Sequence, residues 1–480
     1  MTRVIVIGAG PAGLAAAASA SAAGADVVLV DEGERVGGQF WRHHPDFTDP
    51  RLQHQLGRFG TLRAALGSVR MLSSTSVWRV ENFPLRVHVL TGPTDAANRQ
   101  GETLEADAIV VATGAHDRVL PVPGWTLPGV TSAGAAQALA KRDALTLGER
   151  TVVAGAGPFL LPVAQSIAIL GGEVAEVVEA ASISTIVRGW GAKAWQLTAA
   201  AGKAGELGSY VASLAQHRTP YRFGSAVTRI HGSDAVEAVT VQRIDPQWRP
   251  IAGTERTVEC DSVALGHGFT PRLETAIQFG CEISSTRFVT VDSQQQTSVA
   301  GVYAAGEITG IGGADAALAE GEIAGLAAAG IPGADLRYRS PLAARRRMRA
   351  FAARLDVHGI RPGWTAWLDD DTIVCRCESV RKASIDEYAG VSSRGMRLAT
   401  RAGLGACQGR TCGRSVEDIV GACQPGQGSD SRPVFDNRPV LSSVRIGELA
   451  ALSDLAAPPS PASTPTTVAD TPTTDSAGGS

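Results

Sequence analysis

An α/β fold with a small appended module follows from three observations in this 480-residue sequence. Residues 4–7, VIVI, are a β-branched run that reads as a buried strand, and GAGPAGLAAAASASAAG carries the chain through a helix into a second run, VVLVD. The same βαβ plan returns as TVVAGAGPFLLPVAQSIAILGG closed by EVAEVVEA, and four of the seven cysteines, Cys375, Cys377, Cys407 and Cys412, crowd into one C-terminal stretch.

Length and composition bound the function. The chain can hold two or three domains around a large core. With 44% hydrophobic and 19% charged residues and a net charge of −3, nothing in the overall balance attracts nucleic acid or an anionic membrane. No apolar run approaches a bilayer span, and the N-terminus enters VIVIG without the basic region and cleavage site of a leader. The expectation is a cytoplasmic protein with no transmembrane segment. In a reducing compartment, clustered cysteines more often hold metal or do redox chemistry than form disulfides.

In GAGPAG, Gly8 permits a tight turn, Gly10 lets backbone approach a pyrophosphate, and Gly13 lets helix and strand pack closely. The helix N-terminus supplies unpaired N–H groups and the positive dipole end. Asp31 ends the next strand, placed to accept from a ribose. Strand, helix and terminal acid together make this a Rossmann-like dinucleotide site rather than a chance glycine turn. SVWRV, LRVHVL and AIVVATG read as further strands before the second copy of the motif.

That copy, GAGPFL, keeps Gly155 and Gly157 but carries Leu160 at the third glycine position, where a side chain pushes helix from strand. Glu179 ends its following strand and suits an adenosine ribose, with no adjacent arginine to favour a 2′-phosphate. The expected occupant is an adenine nucleotide, ATP or NAD, bound without rapid NADH turnover. From Gly301, GVYAAGEITGIGGADAALAEGEIAGLAAA adds a third strand and helix. Residues 336–370 form a basic connecting segment, in which PLAARRRMRAFAARLD reads as a helix with Met348, Phe351 and Leu355 on one side and a solvated arginine face. The Pro/Ser/Thr-rich residues 451–480 are expected to be disordered.

The four cysteines are spaced C-x-C, then C-x-x-x-x-C, within residues 371–450. Four thiolates complete a 2Fe-2S cluster, two per iron. Between Cys375 and Arg414 eight basic residues face three acids, an excess that opposes the cluster's negative charge. Glycines 403, 405, 409 and 413 are read as freeing backbone N–H groups to face sulfur. Structural zinc on the same thiolates is the alternative, disfavoured because zinc more usually takes C-x-x-C pairs. Cys423 lies outside the pattern. Cys260 and Cys281 are unmatched, so dithiol chemistry beside a flavin is disfavoured. His43 and His44 are read as packed or surface residues.

Two segments, AIVVATGAHDRVLPVPG and VYAAGEITG, resemble the two-dinucleotide-domain flavoproteins of glutathione-reductase-like type. That resemblance implies FAD at the first site, with Pro11, Ala12, Glu32, Gly38 and Gln39 contributing from the N-terminal motif and GGQFWR. It adds Thr113 and Gly114 from a turn beside the flavin, and Gly306 with Glu307, the latter where aspartate is commoner. The implied FAD domain is 1–148 with 269–335, and the second nucleotide domain is 149–268. VCRCE with TRAGLGACQGRTCG resembles the helical bacterioferritin-associated-ferredoxin-like cluster domain. With GHGFTPRLETAIQFGCE and ATGAHDRVLPVPGWTLPGVTSAGAAQAL, the chain to about residue 420 resembles the FAD-dependent, 2Fe-2S-containing α subunits of opine oxidase, dye-linked proline and hydroxyproline dehydrogenases and hydrogen cyanide synthase. The resemblance implies a separate flavin-bearing β subunit that oxidises an amino acid or secondary amine, so the small-molecule substrate is met through that partner. No residue here is identified as a catalytic base. The other readings are a stand-alone NADH-dependent reductase and a non-catalytic relay or assembly subunit with a structural adenine nucleotide.

Overall fold

The computed structural model describes residues 1–44, 46, 49–94, 96, 98–191, 201–354, 358–388, 390–423 and 435–456. Two five-stranded parallel sheets organise it. The first runs Val302–Ala304, Ala108–Val111, Arg3–Ile7, Asp26–Val30, Arg70–Leu72. The second runs Tyr221–Phe223, Glu173–Glu179, Arg150–Gly155, Ser262–Gly266, Val130–Ser132.

Each sheet is the middle of three layers, and strand alternation divides its side chains between them. In the first strand, Val4 and Val6 join the core shared with helix Pro11–Ala22, while Ile5 and Ile7 face the antiparallel strands Thr75–Asn82, Leu85–Thr91 and Gln100–Glu105. The second sheet repeats the scheme: Val153 faces helix Leu160–Ile169, and Val152 and Ala154 face a second antiparallel trio that contains Val227, Val239 and Val241. Helix Gly313–Ala328 lies directly on Pro11–Ala22. A methyl on Gly321 or Gly325 would overlap the carbonyl of Ala12 or Ala16, so this contact depends on small residues.

The domain border differs from the expected residue 148. Strand Val130–Ser132 pairs with Ser262–Gly266 and Ala133 and Ala136 enter the core of the second sheet. The chain crosses between the sheets at an antiparallel ribbon, Ala115–Asp117 with Phe269–Pro271. Three residues, VTS, are too short and too polar to announce a sheet strand in the sequence.

The basic segment is more than a connector. In helix Arg339–Ala352, Arg346 and Arg347 are exposed, but Arg349 pairs with the fully buried Glu320, Nε to Oε1 at 2.7 Å. Phe351 packs edge-on against Trp190; Leu355, expected on the same side, lies outside the described residues. The 3-10 turn Pro362–Trp367 then buries Trp364 and Trp367, the latter stacked on Trp248 and donating Nε1–H to its carbonyl at 2.8 Å. Through these rings the second domain's core continues into Val374, Cys375, Val380 and Ile385.

From Leu441, whose N–H donates to the Trp78 carbonyl, the chain returns to the first domain. There Arg99 grips Glu448 in a buried two-point ion pair, 2.9 and 2.8 Å. Helix Ile446–Ala456 extends past residue 450, and the remainder of the tail expected to be disordered lies outside the described residues. No helix among the described residues is long and apolar enough to cross a membrane.

Candidate nucleotide-binding and thiolate sites

The first site gathers at the carboxyl ends of the first sheet's strands, where open α/β sheets bind ligands. Gly8 has φ +105° and lies against the Ala112 carbonyl; Gly13 lies against the Gly8 carbonyl. A side chain at either would collide with backbone. Gly10 differs: nothing stands within 4 Å of where its Cβ would be. Pro11 opens the helix at its first turn, and Gly10 gives no side-chain cap, so the first-turn N–H groups keep no capping partner. Together they leave a cradle that fits a pyrophosphate. Gly38 folds over it, its missing Cβ 2.9 Å from Gly10 Cα.

Asp31 accepts from the Ala9 N–H at 2.5 Å and the Gly33 N–H at 2.7 Å. Burial pushes its carboxyl up, against those two donors. Glu32 meets Arg272 at 3.3 Å, while Arg272 donates its N–H to Gly114 and receives the Thr113 hydroxyl on its carbonyl. Gln39 is exposed and Ala12 is buried beneath Gly306. Glu307 accepts from the Gly313 N–H at 2.8 Å, and burial pushes its carboxyl up to about 7. The structure thus brings the sequence-marked residues of the first site to one sheet end. His43 rests on Phe59 and contacts the Trp41 carbonyl.

The second site has the same skeleton but is closed. Helix Leu160–Ile169 begins two residues later than the first motif would place it, with Leu160 fully buried in the position of the third glycine. Gly155 still lies against the Gly266 carbonyl. The open face of Gly157, however, is covered by His358, whose Cβ would lie 3.6 Å from a Cβ at Gly157. Glu179 is buried, and its two oxygens meet the Gly157 and Ala181 N–H groups at 2.9 Å each, the Tyr221 hydroxyl at 3.3 Å and His358 Nδ1 at 3.3 Å. No sequence motif marks His358, which lies in the basic segment between the nucleotide domains and the cysteines.

The four cysteines come together. The thiols of Cys375 and Cys407 lie against that of Cys412, and the Cys377 thiol lies against that of Cys407. Contact with the Cys412 thiol lowers the Cys375 and Cys407 thiols and raises that of Cys412. The backbone N–H groups of Gly403 and Glu378 help hold the Cys375 thiol down, and that of Thr411 does the same for Cys407. Among the described residues no three His, Cys, Asp or Glu side chains are arranged to hold a single metal ion. Four adjacent thiols with backbone donors fit a two-iron cluster, which asks two thiolates of each iron.

The module's glycines have a second cause. Cβ atoms on Gly403, Gly409 and Gly413 would stand 2.5, 2.7 and 2.8 Å from the Phe435 side chain, and one on Gly405 would strike Cys377. Phe435 fills the space under the ligand loop with Arg397 over its face at 4.8 Å. Of these four glycines, Gly403 combines this role with an N–H to sulfur. The local basic excess is also smaller in effect than its count: Arg401 pairs with Glu378, and Arg410 with Glu274 of the first domain at 3.0 Å.

Cys260 and Cys281 sit in separate cores, both pushed up by burial, Cys260 to about 11. Among the described residues neither is disulfide-bonded to another cysteine. Cys423 ends helix Gly413–Cys423, with its side chain outside the described residues.

Comparison with known proteins agrees with this architecture. The model of the pyridine nucleotide-disulphide oxidoreductase family matches residues 2–321. An opine oxidase subunit from Agrobacterium tumefaciens (strain Ach5) is 31% identical over 492 residues, covering 94% of this chain and 91% of its own. Hydrogen cyanide synthase subunit HcnB of Pseudomonas aeruginosa is 31% identical over 433 residues, covering 85% and 90%. The crystal structure of L-proline dehydrogenase from P. horikoshii shares the fold, with a TM-score of 0.65 at 19% identity over 93% of this chain and 79% of that one. The chain belongs to the pyridine nucleotide-disulphide oxidoreductase family and is an FAD-dependent oxidoreductase related to HcnB and to the opine oxidase relative.

Proposed function

We propose that this chain is the α subunit of a heteromeric amino-acid or secondary-amine dehydrogenase or oxidase, acting on an opine, proline, hydroxyproline or sarcosine-like substrate through a flavin-bearing partner. One observation carries the reading: Gly10 opens on free space while Gly157 lies under His358. The first site is ready for a dinucleotide; the second is occupied by the chain itself. Entry of electrons from NADH at the second site is therefore disfavoured, and a partner is the remaining source. The relatives' names support this, since both are named as subunits of larger enzymes.

On this reading Gly8, Gly10 and Gly13 hold the FAD pyrophosphate and Asp31 the adenosine ribose, with Gly38, Thr113, Gly114 and Glu307 closing around it. Cys375, Cys377, Cys407 and Cys412 hold a 2Fe-2S cluster. The cluster, when bound, supplies one-electron storage next to a two-electron flavin. An adenine nucleotide at the second site requires His358 to leave Gly157 and Glu179.

Metal and flavin analysis of anaerobically purified chain tests the cofactor set. One FAD, two irons and two acid-labile sulfides per chain are expected; zinc without sulfide contradicts the cluster.

A further inference from the structure

Arg438 is a buried cation with too few partners. Its side chain is 7% exposed. Nε donates to the Phe435 carbonyl at 3.1 Å, but Nη1 and Nη2 have no hydrogen-bond partner among the described residues. The nearest carboxylate oxygen is Glu274 Oε1, 3.4 Å from Nη1. That oxygen already accepts from Arg410 Nε at 3.0 Å. One carboxylate thus faces two guanidiniums, and a buried guanidinium left with unpaired N–H groups is unfavourable unless a further acceptor is supplied.

The surroundings say which acceptor. Arg410 lies between Cys407 and Cys412 in sequence and shares the Glu274 carboxylate with Arg438, and Arg438 Nε holds the carbonyl of Phe435, whose ring packs against Gly403, Gly409 and Gly413 of the ligand loop. Arg410 Nη2 donates to the Leu441 carbonyl at 2.7 Å and its carbonyl meets His116 at 3.0 Å, which holds the ligand loop on the first domain. We propose that Arg438 is the charge partner of an anionic iron–sulfur cluster on the four cysteines, and that it raises the cluster's reduction potential, with Glu274 limiting its effect. This rests on the cluster reading above. Reduction adds one negative charge to such a cluster, so a nearby guanidinium favours the reduced form. Arg438 is a positioning and charge-setting residue, and it lies outside the basic Cys375–Arg414 stretch.

The test is a redox titration of the full chain, purified anaerobically, followed by the EPR signal of the reduced cluster and by flavin absorbance. Iron, sulfide and FAD are counted in each sample. In Arg438→Gln the reduced-to-oxidised ratio at fixed potential should fall about tenfold, ~59 mV for a one-electron couple, with the flavin couple unmoved. Arg438→Lys should restore most of the loss. Glu274→Gln should shift the cluster the opposite way, upward, and decides the matter if Arg438→Gln does not retain iron. An unchanged cluster potential in Arg438→Gln, or a fall or no change in Glu274→Gln, overturns the assignment. A wild-type chain without iron and sulfide overturns the cluster reading itself, a separate failure.

Discussion

His358 places Nδ1 3.3 Å from Oε1 of Glu179 and its Cβ side over Gly157. The acid that should receive a ribose is held by an imidazole from a segment nearly two hundred residues further along the chain. A nucleotide must displace that contact before it can bind.

His358→Ala should therefore tighten adenine-nucleotide binding by about tenfold, the equivalent of one hydrogen bond to a charged group. Isothermal titration with NAD and ATP against wild type and variant measures it. Equal affinities would show that the contact does not compete. Leu160 stays in place in both, so no gain in NADH-driven flavin reduction is expected.

At the first motif two glycines should fail differently. Gly10→Val adds a side chain where only the pyrophosphate would be, so the variant should fold normally yet lose FAD by about tenfold or more, for an overlap costing on the order of 1–3 kcal/mol. Gly13→Val strikes the Gly8 carbonyl and should lose soluble protein outright. Flavin absorbance per folded chain, with circular dichroism for the fold, separates the two. Full FAD occupancy in Gly10→Val would contradict the cradle.

These glycines are legible in the sequence because strand, turn and helix follow one another in a single short βαβ unit, and Leu160 is legible for the same reason. His358, Phe435 and Arg438 are not. Each acts on a loop it meets only in space, and no local pattern marks a histidine as a cover, a phenylalanine as the reason for three glycines, or an arginine as an unpaired charge. The strand Val130–Ser132 is hidden for another reason: so short a run gives no periodicity, and only pairing with Ser262–Gly266 defines it.

Glu307 carries a pH dependence. Its ordinary value is 4.5 and burial pushes it up to about 7. Between those values the folded chain keeps a proton that the unfolded chain has lost. Stability therefore falls as pH rises through that window, by about 3 kcal/mol at most. Glu307→Gln should flatten the fall. Urea midpoints of flavin-free protein at pH ~5 and ~7.5, on either side of most of that window, measure it, and an unchanged difference in the variant would assign the dependence elsewhere.

Cys407→Ser should remove iron and sulfide while leaving FAD at wild-type occupancy. Cys407 lies on the glycine loop that packs against Phe435, whereas the Gly10 cradle sits at the strand ends of the first sheet. Loss of both cofactors together would mean that the module and the first domain fold as one cooperative unit.

The two-subunit account is tested most directly by dye reduction with proline, hydroxyproline, sarcosine and an opine as donors. The purified chain is compared with the same chain co-expressed with a flavin-bearing amine-oxidising partner. The isolated chain should reduce no dye with any of these donors, and the co-expressed complex should do so with at least one. Steady dye reduction by the isolated, homogeneous chain would contradict the account and place amine oxidation beside its own flavin.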